Sequence, residues 1–118
     1  MSARMKRSSR SPVWPNRRMS DLPARLALLA AQGKTLTYGA LAADLGCRIA
    51  DLTAALERLM EDDARAGRPL RAALLEGRLT NGLPARGFFD KAAELGIDVT
   101  DPAAFVAATR AQLFLKNS

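Results

Sequence analysis

Histidine is absent from the 118 residues, and there is a single cysteine, Cys47. Without histidine the chain lacks the commonest general base and the commonest ligand of transition metals. One cysteine forms no disulfide within the chain and supplies no cysteine-based zinc site. These absences exclude most hydrolase and metalloenzyme mechanisms. We therefore expect no catalytic residues, no metal site, no cofactor and a reducing compartment.

Long apolar runs are also missing. No stretch approaches the roughly 20 apolar residues that span a bilayer, and the basic start of the chain is not followed by the apolar segment of a secretory signal. We therefore expect a cytoplasmic protein without a membrane partner. Aromatic residues make up only 5% of the chain, so the core of a single domain has to be built from Leu, Ala, Ile and Val.

The positive charge of the chain is concentrated in its first 18 residues. The formal net charge is +6, and residues 1–18 contain six basic residues and no acidic one. From Asp21 onward, 12 basic residues balance 12 acidic ones. The first segment has little to bury, so we expect residues 1–19 to form a flexible basic arm. The arm is either a contact for phosphates or a solubilising leader.

Helix and turn signals divide residues 20–118, which we expect to form one domain. The expected helices cover about residues 20–33, 38–45, 49–66, 88–95 and 103–116. Glycines and other turn residues separate them. Residues 34–37 and 70–75 are each expected to form a short strand. The pattern predicts an α+β fold, mainly helical, with a small two- or three-stranded sheet.

The order of helix, short strand, helix, tight turn at Gly46, longer helix, strand and turn resembles the winged-helix family. The resemblance covers roughly residues 20–82, and residues 37–46 are its most recognisable part. It implies a helix-turn-helix in which apolar residues hold two helices together and the third helix enters the major groove of DNA. These apolar residues are Leu41, Ala42, Leu45, Ile49 and Leu52. Winged-helix domains also serve as protein-interaction modules, so the resemblance implies either function.

The third helix offers few side chains that suit DNA. Arg48, Thr53 and Arg58 are candidates for contacts with phosphates or bases, whereas Asp51 and Glu57 oppose them. Further arginines lie after the helix and predict a basic patch on the wing side. This patch comprises Arg65, Arg68, Arg71, Arg78 and Arg86. The alternative is a solvated surface on which these arginines pair with the acidic helix end, formed by Glu61, Asp62 and Asp63.

Phe88 and Phe89 are adjacent, and two adjacent aromatic side chains do not easily point into one core. An exposed ring beside Arg86 would be an anchor for a protein partner or a stacking platform for a base. The alternative is that both rings pack between the last two helices and the third helix.

The last helix carries more apolar residues than a narrow stripe needs, which indicates a homodimer. Those residues are Phe105, Val106, Leu113, Phe114 and Leu115.

Cys47 beside Arg48, near a helix start, has surroundings that lower the pKa of a thiol. Without histidine as a base, the favoured interpretation is a small half-buried residue in the turn.

The sequence thus predicts a DNA-binding protein of winged-helix type, not an enzyme, with DNA or another polyanion as partner and a possible link to transcription. The second hypothesis is a winged-helix module that binds another protein through Phe88, Phe89 and the last helix.

Overall fold

The computed structural model describes residues 21–117. Within them the chain forms five α-helices, one 3-10 helix and two short strands. In chain order these are α1 (Leu22–Gln32), β1 (Leu36–Thr37), α2 (Tyr38–Leu45), α3 (Ile49–Ala66), the 3-10 helix (Arg71–Leu74), β2 (Leu75–Glu76), α4 (Arg86–Glu94) and α5 (Pro102–Asn117). The expected mainly helical fold with a small sheet is confirmed. The expected basic arm, residues 1–19, lies outside the described residues.

A tight turn at Gly46 joins α2 to α3. Gly46 adopts the left-handed conformation (φ 67°, ψ 37°), and its N–H and that of Cys47 donate to the carbonyls of Ala43 and Ala42 at 3.2 and 3.0 Å. This arrangement satisfies the last carbonyls of a helix, and a residue without Cβ adopts it at least cost. At the other end of α2, the Thr37 hydroxyl accepts a backbone N–H at 3.1 Å. The expected two-helix turn and the Thr37 cap are both present.

The segment expected as a strand, residues 70–75, is mostly a 3-10 helix. Only Leu75–Glu76 is extended, and it pairs in parallel with Leu36–Thr37. Residues 72–75 are all buried, whereas consecutive residues of a strand would point to opposite faces. A tight helical turn therefore places more of this apolar run in the core. Residues 21–117 contain no antiparallel hairpin after α3, so a regular wing is not among the described elements.

The core is aliphatic and lies between α1, α3, the 3-10 helix and α5. Its largest fully buried apolar side chains include Leu22, Leu26, Leu41, Leu52, Met60, Leu74, Leu75 and Val106. Four of the five residues expected to hold α2 against α3 are buried, but Ile49 is 54% exposed. The first turn of α3 is therefore packed less completely than the apolar pattern predicts.

The apolar residues of α5 mostly serve the core of the same chain. Val106 and Leu113 are buried, and Phe105 and Phe114 are half-buried against the core. Leu115 is 76% exposed. Since α5 packs on α1 and on the 3-10 helix, the excess of apolar residues that indicates a homodimer is largely accounted for within the chain.

Candidate binding surface

A buried carboxylate organises the C-terminal end of α3. Asp63 is fully buried, and its oxygens accept hydrogen bonds from the Arg71 guanidinium at 2.8 to 3.1 Å, from the Arg71 N–H at 3.0 Å and from Nε of Arg68 at 3.1 Å. The expected pairing of arginines with the acidic helix end is therefore present, but the expectation that this end is solvated is wrong for Asp63. A buried charge is tolerated only when it is paired in this way. Arg68 and Arg71 are accordingly engaged within the domain.

The burial of Asp63 follows from its place on the helix. It comes four residues after Leu59 and three after Met60, so it lies on the same face as these buried side chains. Its two arginine partners follow five and eight residues later. A carboxylate in register with an apolar stripe, followed closely by arginines, is the signal that would have identified this cluster.

Two further arginines of the predicted set lie on the outward side of α3. Arg65 forms an exposed ion pair with Asp62, with 3.2 Å between Nη1 and Oδ1. The pKa of Glu61 is lowered by a hydrogen bond from Lys91 and by its charge, and then by the charges of Arg65 and Arg58. Arg58 itself is exposed. Because acids and bases alternate on this side, it is not a basic patch.

The first turns of α3 present exposed side chains. Arg48, immediately before the helix, is 83% exposed and lies 3.4 Å from a carboxylate oxygen of Asp51. Ile49 and Thr53 are also exposed. Residues four apart lie on one face of a helix, so Ile49 and Thr53 form one edge. Thr53 and Arg58, by contrast, are about 140° apart around the helix axis, and the structure does not bring them together.

The start of α4 lies beside these turns. The hydroxyl of Tyr38 accepts the Ala85 N–H at 3.0 Å, and Ala85 and Gly87 line the same groove as Ile49. Arg86, between them, is 92% exposed. Arg86 forms a weak ion pair with Asp90, in which Nε and Oδ2 are 3.9 Å apart. We call Arg48, Ile49, Thr53 and Arg86 together the α3 N-terminal surface.

An apolar groove of about 130 Å³ separates α4 from the first turns of α3. Its lining includes Tyr38, Ile49, Thr53, Leu56, Met60 and Phe88. Glu57 contributes the carboxylate of this lining. Pockets for drug-sized molecules usually start at about 300 Å³. The groove therefore matches a single apolar side chain better than a cofactor.

Neither phenylalanine of the adjacent pair is exposed. Phe88 is only 5% exposed, and its ring centre lies 5.1 Å from that of Phe89 in an edge-to-face arrangement and 6.2 Å from that of Phe105. Phe89 is half-buried against the core. Phe88 thus contributes a wall of the groove and a contact with α5, and it does not project as an anchor.

Cys47 does not have the surroundings of an activated thiol. It is half-buried, and burial raises the pKa of its thiol, with a further increase from the charge of Asp51. The Arg48 guanidinium that was expected to lower this pKa is paired with the same Asp51 carboxylate. Cys47 is therefore a protonated, half-buried residue of the turn at neutral pH.

Arg110 of α5 is a residue that the sequence did not single out. It is half-buried, and it donates through Nε to the Ala73 carbonyl at 2.7 Å and through Nη2 to the Leu75 carbonyl at 3.3 Å. Burial lowers the pKa of its guanidinium, and the charge of Glu76 opposes that shift. Arg110 satisfies carbonyls at the end of the 3-10 helix, which no helical pattern in α5 could reveal.

The predicted DNA contacts thus fall into separate groups. Thr53 lines the groove, and Arg48 and Arg86 are next in the chain to its lining residues Ile49 and Ala85. Arg78 is exposed in loop 77–83, and Arg58 and Arg65 lie on the outward side of α3. Within the described part of the chain, no group of three or more Cys, Asp or Glu side chains is placed to hold a metal ion. None of the helices in residues 21–117 combines the length and apolar character needed to cross a membrane.

Comparison of the chain with protein-family models, with curated proteins and with solved structures finds no match.

Proposed function

We propose that the chain is a non-catalytic nucleic-acid-binding protein that presents the start of α3 to duplex DNA. The observation that carries the proposal is the exposure of the first turns of α3 directly after the Gly46 turn. Arg48 is 83% exposed, and Thr53 is exposed. The neighbouring Ala50 and Ala54 are exposed and small, so at these two positions the helix backbone can come close to a major groove.

The basic arm supplies the attraction for phosphates in this proposal. The chain from Asp21 onward has no net charge, whereas residues 1–18 carry six basic residues. Release of counterions from phosphates provides most of the affinity of sequence-independent binding. Arg48, Arg78 and Arg86 then position the domain on the duplex through phosphate contacts.

The proposed interface is smaller than the set of arginines predicted from the sequence. Arg68 and Arg71 are held by Asp63, and we leave them out because a phosphate contact would abandon a buried carboxylate. A winged-helix relationship over residues 20–82, a cytoplasmic location and a role near transcription belong to the same proposal. The winged-helix relationship is supported by the resemblance and by the two-helix turn.

The proposal is tested by fluorescence anisotropy of the full-length chain with a mixed-sequence DNA duplex between about 50 and 200 mM salt. We expect the logarithm of the affinity to fall with the logarithm of the salt concentration with a slope of about −8 if the six arm cations and Arg48, Arg78 and Arg86 all contact phosphates. Replacing the six arm residues by glutamine should reduce this slope by about 5.

Two double variants, each lacking two cations, test which face of the domain contacts DNA. Arg48→Ala with Arg86→Ala should reduce the slope by about 2. Arg58→Ala with Arg65→Ala is the matched control on the outward side of α3 and should leave the slope unchanged. Equal losses from the two pairs would mean that the α3 N-terminal surface is not the interface. Absence of salt-sensitive binding in the unmodified chain would overturn the proposal itself.

A protein partner is the second candidate, and the apolar groove is the observation that favours it. Ile49 is 54% exposed at its edge, and Glu57 supplies the acidic group of its lining. The partner that fits is a protein segment with one apolar side chain next to a basic residue. Such an interface depends only weakly on salt, which separates it from DNA binding.

Blocking the groove tests this candidate. Thr53→Trp places a large side chain at the groove, and Ala54→Trp is a matched control about 100° away around α3. Displayed peptides selected on the full-length chain should carry Leu or an aromatic residue next to Lys or Arg. They should bind the Ala54→Trp variant and lose binding to Thr53→Trp. Equal binding to both variants would exclude the groove.

A further inference from the structure

A hydrogen-bonded loop, residues 77–83, follows β2 and leads through Pro84 and Ala85 to α4. The Gly77 N–H donates to the Leu83 carbonyl at 2.9 Å, and the Leu83 N–H donates to the Thr80 carbonyl at 3.0 Å. The Thr80 hydroxyl oxygen also accepts the Gly77 N–H at 3.2 Å, and its single proton is within reach of the Leu83 and Gly77 carbonyls. Asn81 and Gly82 have positive φ values of 53° and 83°, as a tight turn requires. These contacts fix the shape of the loop without apolar packing at its tip.

The tip presents Arg78 and Leu79 outward. Leu79 is 95% exposed, compared with 76% for Leu115 and 54% for Ile49. Arg78 is exposed and has no ion-pair partner among residues 21–117. The acid nearest in sequence, Glu76, instead accepts a hydrogen bond from the Thr35 hydroxyl at 2.6 Å. The tip is therefore a cationic and apolar point on a domain with no net charge.

The base of the loop is anchored next to the α3 N-terminal surface. The chain leaves Leu83 and passes the buried Pro84 to Ala85, whose N–H is bound by the Tyr38 hydroxyl at 3.0 Å. Ala85 lines the groove that Ile49 and Thr53 border. The segment that follows the loop therefore lies beside the first turns of α3.

We infer that Leu79 is a wedge that enters the minor groove of bound DNA and separates two stacked base pairs, while Arg78 contacts the adjacent backbone. This inference rests on the proposed function. Apolar wedges of this kind kink the duplex, and neighbouring cations hold them in place. A loop that internal hydrogen bonds already hold loses little conformational freedom on insertion. The unpaired charge of Arg78 favours a polyanion over an apolar protein pocket.

DNA bending by the full-length chain tests the inference. The probe is a mixed-sequence duplex of about 30 base pairs with a central TA step, which kinks easily, and energy transfer between dyes at its two ends reports the bend. The unmodified chain should bend the duplex by about 20 to 90°. Leu79→Ala should keep affinity within a few-fold and lose most of the bend. Leu115→Ala, at another exposed leucine, should change neither quantity.

The outcomes separate the two levels of the proposal. Binding without bending, or equal bending by the unmodified chain and Leu79→Ala, overturns the wedge and leaves the proposed function standing. No binding by the unmodified chain at about 50 mM salt overturns the proposed function and the wedge together. Because Leu79 is exposed, an unchanged thermal midpoint of Leu79→Ala will show that any lost bend does not come from misfolding.

Discussion

The two ends of α3 use arginine in opposite ways. At the C-terminal end, Arg68 and Arg71 surround the buried carboxylate of Asp63. At the N-terminal end, about 25 Å away along the helix, Arg48 is 83% exposed. The difference shows that the number of arginines near a helix does not identify a ligand surface. The positions of the acids decide which arginines stabilise the fold and which are available to a partner.

The largest expected effect is the loss of stability on removing the buried carboxylate. Asp63→Ala leaves Arg71 partly buried without its partner, and we expect the free energy of unfolding to fall by about 3 to 5 kcal/mol. Urea denaturation followed by circular dichroism measures this change. Asp62→Ala removes an exposed acid one residue earlier and should cost less than about 1 kcal/mol. Similar losses from the two variants would show that the arginines paired with buried Asp63 stabilise the fold no more than the arginine paired with exposed Asp62.

The next largest loss of stability is expected at Gly46, in the turn before α3. Gly46→Ala forces a side chain into a left-handed conformation and should cost about 1 kcal/mol. Gly33→Ala, at the left-handed end of α1 (φ 65°), is a control with the same backbone penalty. Under the proposed function, Gly46→Ala alone should also weaken DNA binding, because it disturbs the placement of α3. An equal loss of affinity in both variants would mean that the turn has no special role.

The ion pair between Arg48 and Asp51, at the N-terminal end of α3, should contribute little to the free energy of unfolding. Arg48 and Asp51 are 3.4 Å apart, and Arg48 is largely exposed. A double-mutant cycle with Arg48→Ala and Asp51→Ala should give a coupling below about 0.5 kcal/mol in thermal or urea unfolding. A coupling well above that value would show that Arg48 is engaged with the domain, as Arg71 is, and would remove it from the interface.

The smallest expected effect is on the stability of the domain at low pH, and it involves Glu61 in the C-terminal half of α3. The Lys91 ammonium lies 2.6 Å from a Glu61 carboxylate oxygen and lowers the pKa of Glu61 below its ordinary 4.5, while the pKa of Lys91 is raised above 10.5. The stabilising contribution of the pair is therefore lost as the pH falls through the lowered pKa of Glu61, and also as it rises through the raised pKa of Lys91.

Unfolding of the unmodified chain and Glu61→Gln between about pH 3 and 7 measures the acid side of this dependence. The stability difference between the two proteins should shrink as the pH falls. A difference that stays constant over this range would show that the pair does not contribute through its charge.

Local features of the fold were predictable from the sequence. Gly33, Gly46 and Gly67 mark three helix ends, and the Thr37 cap follows from its place before an apolar segment. These features depend on residues close together in the chain. The 3-10 helix was not predicted, because a short apolar run is equally compatible with a strand.

The candidate site was predictable only in part. Arg48 and Thr53 are exposed as the helical spacing indicates, but no local pattern shows that Ile49 lies exposed across a groove from α4. The pairing of Leu36 with Leu75 likewise joins segments far apart in the chain. Such contacts depend on the packing of the whole domain. The pairing of Arg71 with Asp63 has a partial sequence signal, since the acid keeps the spacing of the buried residues.

The hydrogen bond between Tyr38 and the Ala85 N–H provides the chain with an internal reporter. Tyr38 is its single tyrosine, and burial raises the pKa of the phenol. An ultraviolet titration of the unmodified protein therefore follows the burial of this one side chain without a label. A ligand that exposes the phenol to solvent would let it ionise at lower pH, whereas loss of the Ala85 hydrogen bond alone would raise its pKa further, because that N–H stabilises the phenolate.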